Sequence, residues 1–379
     1  MFIFQMPSKI MAGDTCLNRL EEEIQKLGAE KVLVVTDRNL EKAGLVKKVT
    51  DNLGQTELIL FNECSPDPST ELIQRGTEVI RKRGVNLLIA IGGGSNIDAA
   101  KGMSIMAANK GPLTQYEGPE KFPNEPLPII SVPTTAGTGS EITFFAVITD
   151  LERDYKFLIW SPRIAPKVAF LDPSMVATAP RTVKIPAGMD ALAHAVESYL
   201  SKMASPLTEI CALKAINLVF RNLRGVLEDK PNLDCLKNMQ YAATIAAMSF
   251  ANAKLGIVHA MALPLSAMYH VPHGVAISIL LPHGLEFNRL VRPDKFIQLA
   301  QAMKIETQGL SAKEVGKSVV EAVKKLSRDT GAPDRLREVG VKKESFEKMV
   351  QDSMKSGHVQ VNPRKIEAQD IFNIYQAAY

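Results

Sequence analysis

The chain has 379 residues, 46% of them hydrophobic, with a formal net charge of +4, which is enough for two domains and a substantial core. Lysines and arginines are scattered and form no basic stripe with interleaved aromatics, so nucleic acid is excluded as the natural partner. The four cysteines, Cys16, Cys64, Cys211 and Cys235, stand far apart without a CxxC pair, and no apolar run reaches membrane-spanning length; the expected setting is a reducing cytoplasm.

Residues 1–7 are apolar but too short for a signal h-region; they read as an exposed edge strand able to pair with a second subunit, so a homo-oligomer, a dimer first, is expected. Buried strands follow at residues 31–36, 58–61, 85–91 and 128–132, separated by polar helical stretches such as 71–84. That alternation implies parallel βαβ units. Shorter strand-like segments occupy 144–172, including 168–171. After Asp172-Pro173 helical spacing dominates, over 189–203, 208–227, 235–255, 312–330, 343–354 and 368–378, and Pro173, Pro180 and Pro186 cluster at the transition. The expected fold is an α/β dinucleotide-binding domain over residues 1–180 and an all-α metal-binding domain over 181–379.

Two glycine-rich loops each follow a buried strand: Gly92-Gly-Gly-Ser-Asn-Ile-Asp-Ala-Ala-Lys101 and Pro133-Thr-Thr-Ala-Gly-Thr-Gly-Ser-Glu141. Glycine lets backbone N–H groups approach a phosphate, and the next helix points its positive end at the anion. Neither loop is GxGxxG, and either alone reads equally as a tight turn; two in one parallel sheet favour a dinucleotide. Asp37 follows the first buried strand, where a carboxylate either binds an adenosine ribose, favouring NAD over NADP, or caps a helix.

Four of the six histidines, His259, His270, His273 and His283, fall within a 25-residue stretch, and a fifth, His194, stands four residues after Asp190. Asp190 and His194 share a helix face. One carboxylate and three imidazoles make an N/O site suited to Fe(II), Zn or Mn, with a position open to an alcohol or aldehyde oxygen.

Taken together, Val35-Thr-Asp37, Pro66-Asp-Pro-Ser69, the 92–101 and 133–143 loops, Gly188-Met-Asp-Ala-Leu-Ala-His194, Gly256-Ile-Val-His-Ala-Met261, Pro272-His-Gly274 and Asn362-Pro-Arg364 resemble the iron-containing, or group III, alcohol dehydrogenases. Their architecture is similar to dehydroquinate synthase and glycerol dehydrogenase. The resemblance implies that Asp190, His194, His259 and His273 ligate a metal, Fe(II) first. It also implies that Asp37, Asp67, Gly93, Gly94, Ser95, Asp98, Thr134, Thr135, Thr138 and Lys156 contact NAD, with Asp67 standing where many relatives carry asparagine. The metal then polarises the substrate oxygen while hydride passes between the substrate carbon and nicotinamide C4, in a cleft between the domains.

The chain departs from the family at several places. Leu263 stands where many relatives carry a second histidine, which leaves His270 or water to relay a proton beside His273. Lys254 replaces a small residue, and His358 stands where relatives often place cysteine. Phe145 and Phe250 resemble the walls of the substrate pocket, which Lys254, Leu263 and His358 complete. A lysine and a histidine in a narrow aromatic pocket suggest a short aldehyde carrying a carboxylate or sulfonate, such as succinic semialdehyde or sulfoacetaldehyde. The alternatives are a general short-chain alcohol or diol dehydrogenase, a dehydroquinate synthase-like lyase, and a non-redox NAD-binding regulatory protein with a structural metal.

Overall fold

The apolar runs of the first half become strands in a computed structural model that describes residues 1–153, 155–228 and 232–379. The chain divides into two compact units, Gln5–Ala179 and, with Met1–Phe4, Pro180–Tyr379. In the first unit the strands are Lys9–Ala12 (β1), Lys31–Val35 (β2), Glu57–Phe61 (β3), Leu87–Gly92 (β4), Gly118–Pro119 (β5), Ile129–Pro133 (β6), Phe145–Asp150 (β7), Tyr155–Trp160 (β8) and Val168–Leu171 (β9). Six of them form a parallel sheet in the order β1-β9-β6-β4-β2-β3. A smaller sheet has the order β5-β8-β7, with β7 and β8 antiparallel.

Strands β4, β6 and β9 are buried along their whole length, as interior strands of a sheet covered on both faces must be. Successive side chains feed opposite cores: Leu33 and Val35 of β2 join one hydrophobic cluster, Val32 and Val34 the other. Two expectations need correction. Strand β3 is an edge strand, with Leu58 and Leu60 exposed; its apolar run resembles an interior strand but only one face is covered. Residues 1–7 form no strand, and pairing begins at Lys9, against β9.

From β2 the sheet runs outward to β3 on one side and to β4 on the other. The ends of β2 and β4 therefore meet at a topological switch point, the usual place for a ligand in an open α/β sheet. Asp37 follows β2, and the first glycine loop leads from β4 into the helix Gly94–Ala108. A Cβ on Gly94 would lie 3.0 Å from Thr138 Cγ2, so a glycine there lets the two loops touch.

The same helix buries Lys101 completely. Its ammonium donates to Ser140 Oγ (2.9 Å), Thr143 Oγ1 (3.1 Å) and the Phe145 carbonyl (2.9 Å). Asp98, one turn earlier, accepts from Ser140 Oγ at 2.6 Å and from the Val147 N–H at 3.0 Å. One buried cation and one carboxylate thus fasten both glycine-rich loops to β7.

The second unit is helical. Arg181–Leu200 is buried on every side from Gly188 onward, which makes it the central helix. Around it pack Pro206–Asn222, Leu233–Ala253 and His273–Asn288. Among the described residues no single helix is long and apolar enough to cross a membrane. A bent pair, Leu233–Ala253 with Ile257–Tyr269, meets that test jointly; both helices carry many buried residues of this unit's core.

Burial pushes the Lys101 pKa down from the usual 10.5 to about 8, with Asp98 and Glu141 only partly opposing it. Between those values the unfolded chain holds the proton and the folded chain does not, so stability rises with pH across that window. Wild type is therefore expected to gain stability over Lys101→Met as pH goes from 8 to 10, read by urea midpoints at each pH. A constant difference would contradict the charged burial.

Candidate metal centre and cofactor loops

Helical spacing sets Asp190, His194 and Glu197 at i, i+4 and i+7 on one face of Arg181–Leu200. His259 lies in the first turn of the helix Ile257–Tyr269, and His273 opens the helix His273–Asn288. Three Nε2 atoms surround one oxygen: Asp190 Oδ1 is 3.5 Å from His259, 3.6 Å from His273 and 3.7 Å from His194. The ligand atoms of Asp190, His259 and His273 lie within 4.8 Å of one another. The His194 ring stacks on that of His259, with centroids 4.7 Å apart.

These residues fit a metal. Asp190 Oδ1 and His259 Nε2 are buried with no hydrogen-bond partner, a costly state unless a cation completes it. Ligands about 2.1 Å from a tetrahedral ion lie about 3.4 Å apart, close to the separations seen. The donor set, one carboxylate and three imidazoles, suits Fe(II), Zn or Mn. His273 is 41% exposed, whereas the other three are buried.

Glu197 was not among the expected site residues. Its Oε2 accepts from His259 Nδ1 at 2.5 Å and from the His259 backbone N–H at 3.3 Å, while Oε1 accepts from the Val258 N–H at 2.6 Å. A carboxylate only accepts, so Nδ1 carries a proton, and Nε2, which faces Asp190, is the ring atom left to bind a metal. Burial pushes the His259 pKa down, but Asp190 and Glu197 outweigh it and raise it to about 9. Burial also works against the Asp190 carboxylate, yet the His194, His259 and His273 imidazoles hold its pKa well below the usual range. Two buried carboxylates on one imidazole cluster make a site that demands positive charge. The sequence signal for Glu197 is its place on the Asp190–His194 face.

Around this cluster the expected pocket residues divide. Phe250 stacks on His194 at 4.2 Å between centroids. The His358 ring lies 6.4 Å from that of His259, and its Nδ1 is buried without a hydrogen-bond partner. Burial, with His259 and Lys254 adding to it against Glu197, pushes the His358 pKa down to about 4, so it is neutral near pH 7. Lys254 ends the helix Leu233–Ala253 with φ 61° and ψ −176°, a backbone region that only glycine enters freely; its side chain is exposed. Leu263 is one turn beyond His259 and 41% exposed.

His270 is the exposed, left-handed C-cap of Ile257–Tyr269, with φ 53°, eleven residues from His259 and so about 16 Å from it along that axis, and three residues before His273. His283 lies ten residues beyond His273 on the helix His273–Asn288, and burial pushes its pKa down to about 4.

In the first unit, Asp37 Oδ1 caps the helix Arg38–Lys42 through the Asn39 and Leu40 N–H groups, and Oδ2 accepts from Asn96 at 3.0 Å. The helix-cap reading of Asp37 is therefore realised, and its second oxygen faces the glycine loop. Gly93, Gly94 and Ser95 lie at the start of the helix Gly94–Ala108, and Thr135 and Thr138 pack on Gly93 and Gly94. Thr134 donates its N–H to the Gly92 carbonyl at 3.0 Å. Asp67, with φ 57°, pairs with Lys156 at 2.7 Å. Phe145 opens β7 in this unit, while Phe250 belongs to the other.

Comparison with known proteins agrees with this geometry. The family "Iron-containing alcohol dehydrogenase" matches residues 7–173, and "Fe-containing alcohol dehydrogenase family, C-terminal" matches residues 184–379. The chain is 39% identical to 1,3-propanediol dehydrogenase of Citrobacter freundii, covering 100% of this chain and 99% of that one. It is 37% identical to lactaldehyde reductase of Escherichia coli (strain K12), covering 97% of each. The solved sulfoacetaldehyde reductase from Bifidobacterium kashiwanohense in complex with NAD+ superposes with a TM-score of 0.92 at 26% identity, covering 100% of this chain and 98% of that one. The chain belongs to the iron-containing alcohol dehydrogenase family, as a metal-containing alcohol dehydrogenase or aldehyde reductase.

Proposed function

We propose that the protein is an NAD(H)-dependent reductase of short aldehydes that carry a carboxylate or sulfonate. The observation that carries the redox part is the convergence of three imidazoles at 3.5–3.7 Å on the buried Asp190 carboxylate. A divalent metal held by Asp190, His194, His259 and His273, Fe(II) before Zn or Mn, supplies Lewis-acid charge at the substrate oxygen. NAD(H) supplies the hydride chemistry, with the backbone of Gly93, Gly94 and Ser95 for phosphate, Thr134, Thr135 and Thr138 beside it, and Asp37 with the Asp67–Lys156 pair for the adenosine end.

The chain's own residues do the rest. Glu197 holds the His259 imidazole in the tautomer that leaves Nε2 free. Phe250 and Leu263 offer apolar walls in the second unit, and Phe145 an apolar ring at the start of β7 in the first. Leu263 moves no proton, so water carries it. His358 is neutral and offers a hydrogen bond rather than charge, which leaves Lys254 as the cation for an anionic group. Support for that role comes from its backbone: a lysine held where glycine would be unstrained points to selection for the side chain. A sulfoacetaldehyde reductase of the same fold is consistent with this substrate class.

A second reading, a general short-chain alcohol or diol dehydrogenase, is favoured by the likeness to 1,3-propanediol dehydrogenase. In either reading the setting is a reducing cytoplasm and the assembly a homodimer, for which the exposed Phe2 and Ile3 are the supporting feature.

Chelation is expected to abolish aldehyde-dependent NADH oxidation, followed by absorbance, and Fe(II) to restore it; full activity in metal-free protein would remove the metal from the mechanism. Lys254 separates the two readings. Lys254→Met should lower kcat/KM for anionic aldehydes about tenfold, the worth of one charged hydrogen bond, and leave neutral aldehydes within about twofold. Lys254→Gly should do the same and also raise Tm, because the strain of about 1–3 kcal/mol is relieved. Equal losses for both substrate classes would leave the diol reading standing.

A further inference from the structure

The Asn362-Pro-Arg364 motif takes no part in the chemistry above, yet Asn362 is completely buried. We propose that Asn362 is a positioning residue of the metal centre: its side-chain amide caps the helix that carries His259 and ties it to the helix opened by His273. The proposal rests on the reading that Asp190, His194, His259 and His273 hold a metal.

The helix Ile257–Tyr269 begins at Gly256, which has no side chain to cap it. Its first N–H groups would be orphans in a buried setting. Distant residues supply the acceptors. The Ile257 N–H donates to Asn362 Oδ1 at 3.3 Å, and Glu197 receives those of Val258 and His259 at 2.6 and 3.3 Å. A Cβ on Gly256 would lie 2.9 Å from both Asn362 Oδ1 and Glu197 Oε1, so glycine lets both acceptors reach the helix end.

The amide of Asn362 is fully used. Its Oδ1 also accepts from Asn288 Nδ2 at 3.1 Å, and its Nδ2 donates to Asn288 Oδ1 at 2.9 Å and to the Arg364 carbonyl at 2.7 Å. Two donors and two lone pairs all have partners, so the orientation of the amide is fixed by its neighbours. Asn288 is the last residue of the helix that His273 opens. Asn362 directly follows the short helix His358–Val361, whose Val361 carbonyl accepts from the Lys202 N–H at 2.8 Å, just past the Asp190 helix. One amide therefore joins the His259 helix, the His273 helix and the His358 segment. Partners that orient metal ligands commonly change metal affinity 10–100-fold when lost.

The test titrates the metal-free full chain with Co(II), read by its visible absorption. Asn362→Ala is expected to raise the Co(II) Kd about tenfold or more and to change the band intensity, at a temperature where the variant is folded by circular dichroism. Arg364→Ala is the control. Its guanidinium sits 3.9 Å from the Phe287 ring centroid and donates to the Phe287 carbonyl at 3.1 Å. It should lower Tm while leaving the Kd within about twofold, well short of the loss expected for a ligand-orienting partner. Asn288→Ala, which removes the paired amide, is expected to raise the Kd in the same direction and serves if Asn362→Ala does not fold. An unchanged Kd in folded Asn362→Ala, an equal rise in Arg364→Ala, or failure of both asparagine variants to fold would overturn the proposal. Absence of Co(II) binding by wild type would overturn the metal reading beneath it.

Discussion

A carboxylate inside a helix that is buried on every side is the constraint to which the second unit answers. Asp190 loses its hydration when Arg181–Leu200 becomes the central helix, and an isolated ion in that place would cost several kcal/mol. The imidazoles of His194, His259 and His273 provide the compensation, and each must come from a fixed direction. That requirement explains why two helices start where they do. Both His259 and His273 lie in first turns, where the backbone direction is set by the residues just before the helix. Glu197 then neutralises the far side of His259, so a second buried acid is tolerated because the first one created a cationic partner for it.

Much of this architecture is legible in the residue order. Interior parallel strands are covered on both faces, so β4, β6 and β9 appear as unbroken apolar runs. The candidate ligands stand out because histidine is scarce in this chain and Asp190–His194 has helical spacing. Strand β3 is less readable: its run has interior composition, but whether a neighbour covers it is decided by sheet order, a property of the whole unit. Glu197 is hidden for a related reason. An acid on a helix ordinarily faces water, and only contact with a residue 62 positions away reveals its role.

The fold is common property of the family, so it says little about which aldehyde or alcohol is handled. Under the proposed function the distinguishing information lies at three positions: Leu263 would withhold a proton carrier, His358 would offer an uncharged polar edge, and Lys254 would present an amine from its unfavourable backbone. In the first unit Lys101 represents a comparable trade. Its burial lowers stability at neutral pH, and in exchange the two glycine-rich loops are held to β7.

The Asn288–Asn362 pair also bears on biosynthesis. Units of a growing chain fold in the order in which they are made. The unit spanning Gln5–Ala179 has all of its strands as soon as β9 is made. All four candidate ligand residues exist once His273 is made, but the helix end beneath His259 is not fully capped until Asn362 is available. Met1–Phe4 precede the sheet in the chain yet pack with the unit completed after it. Translation therefore delivers the strands of the sheet before the residue that completes the helix end beneath the candidate metal centre.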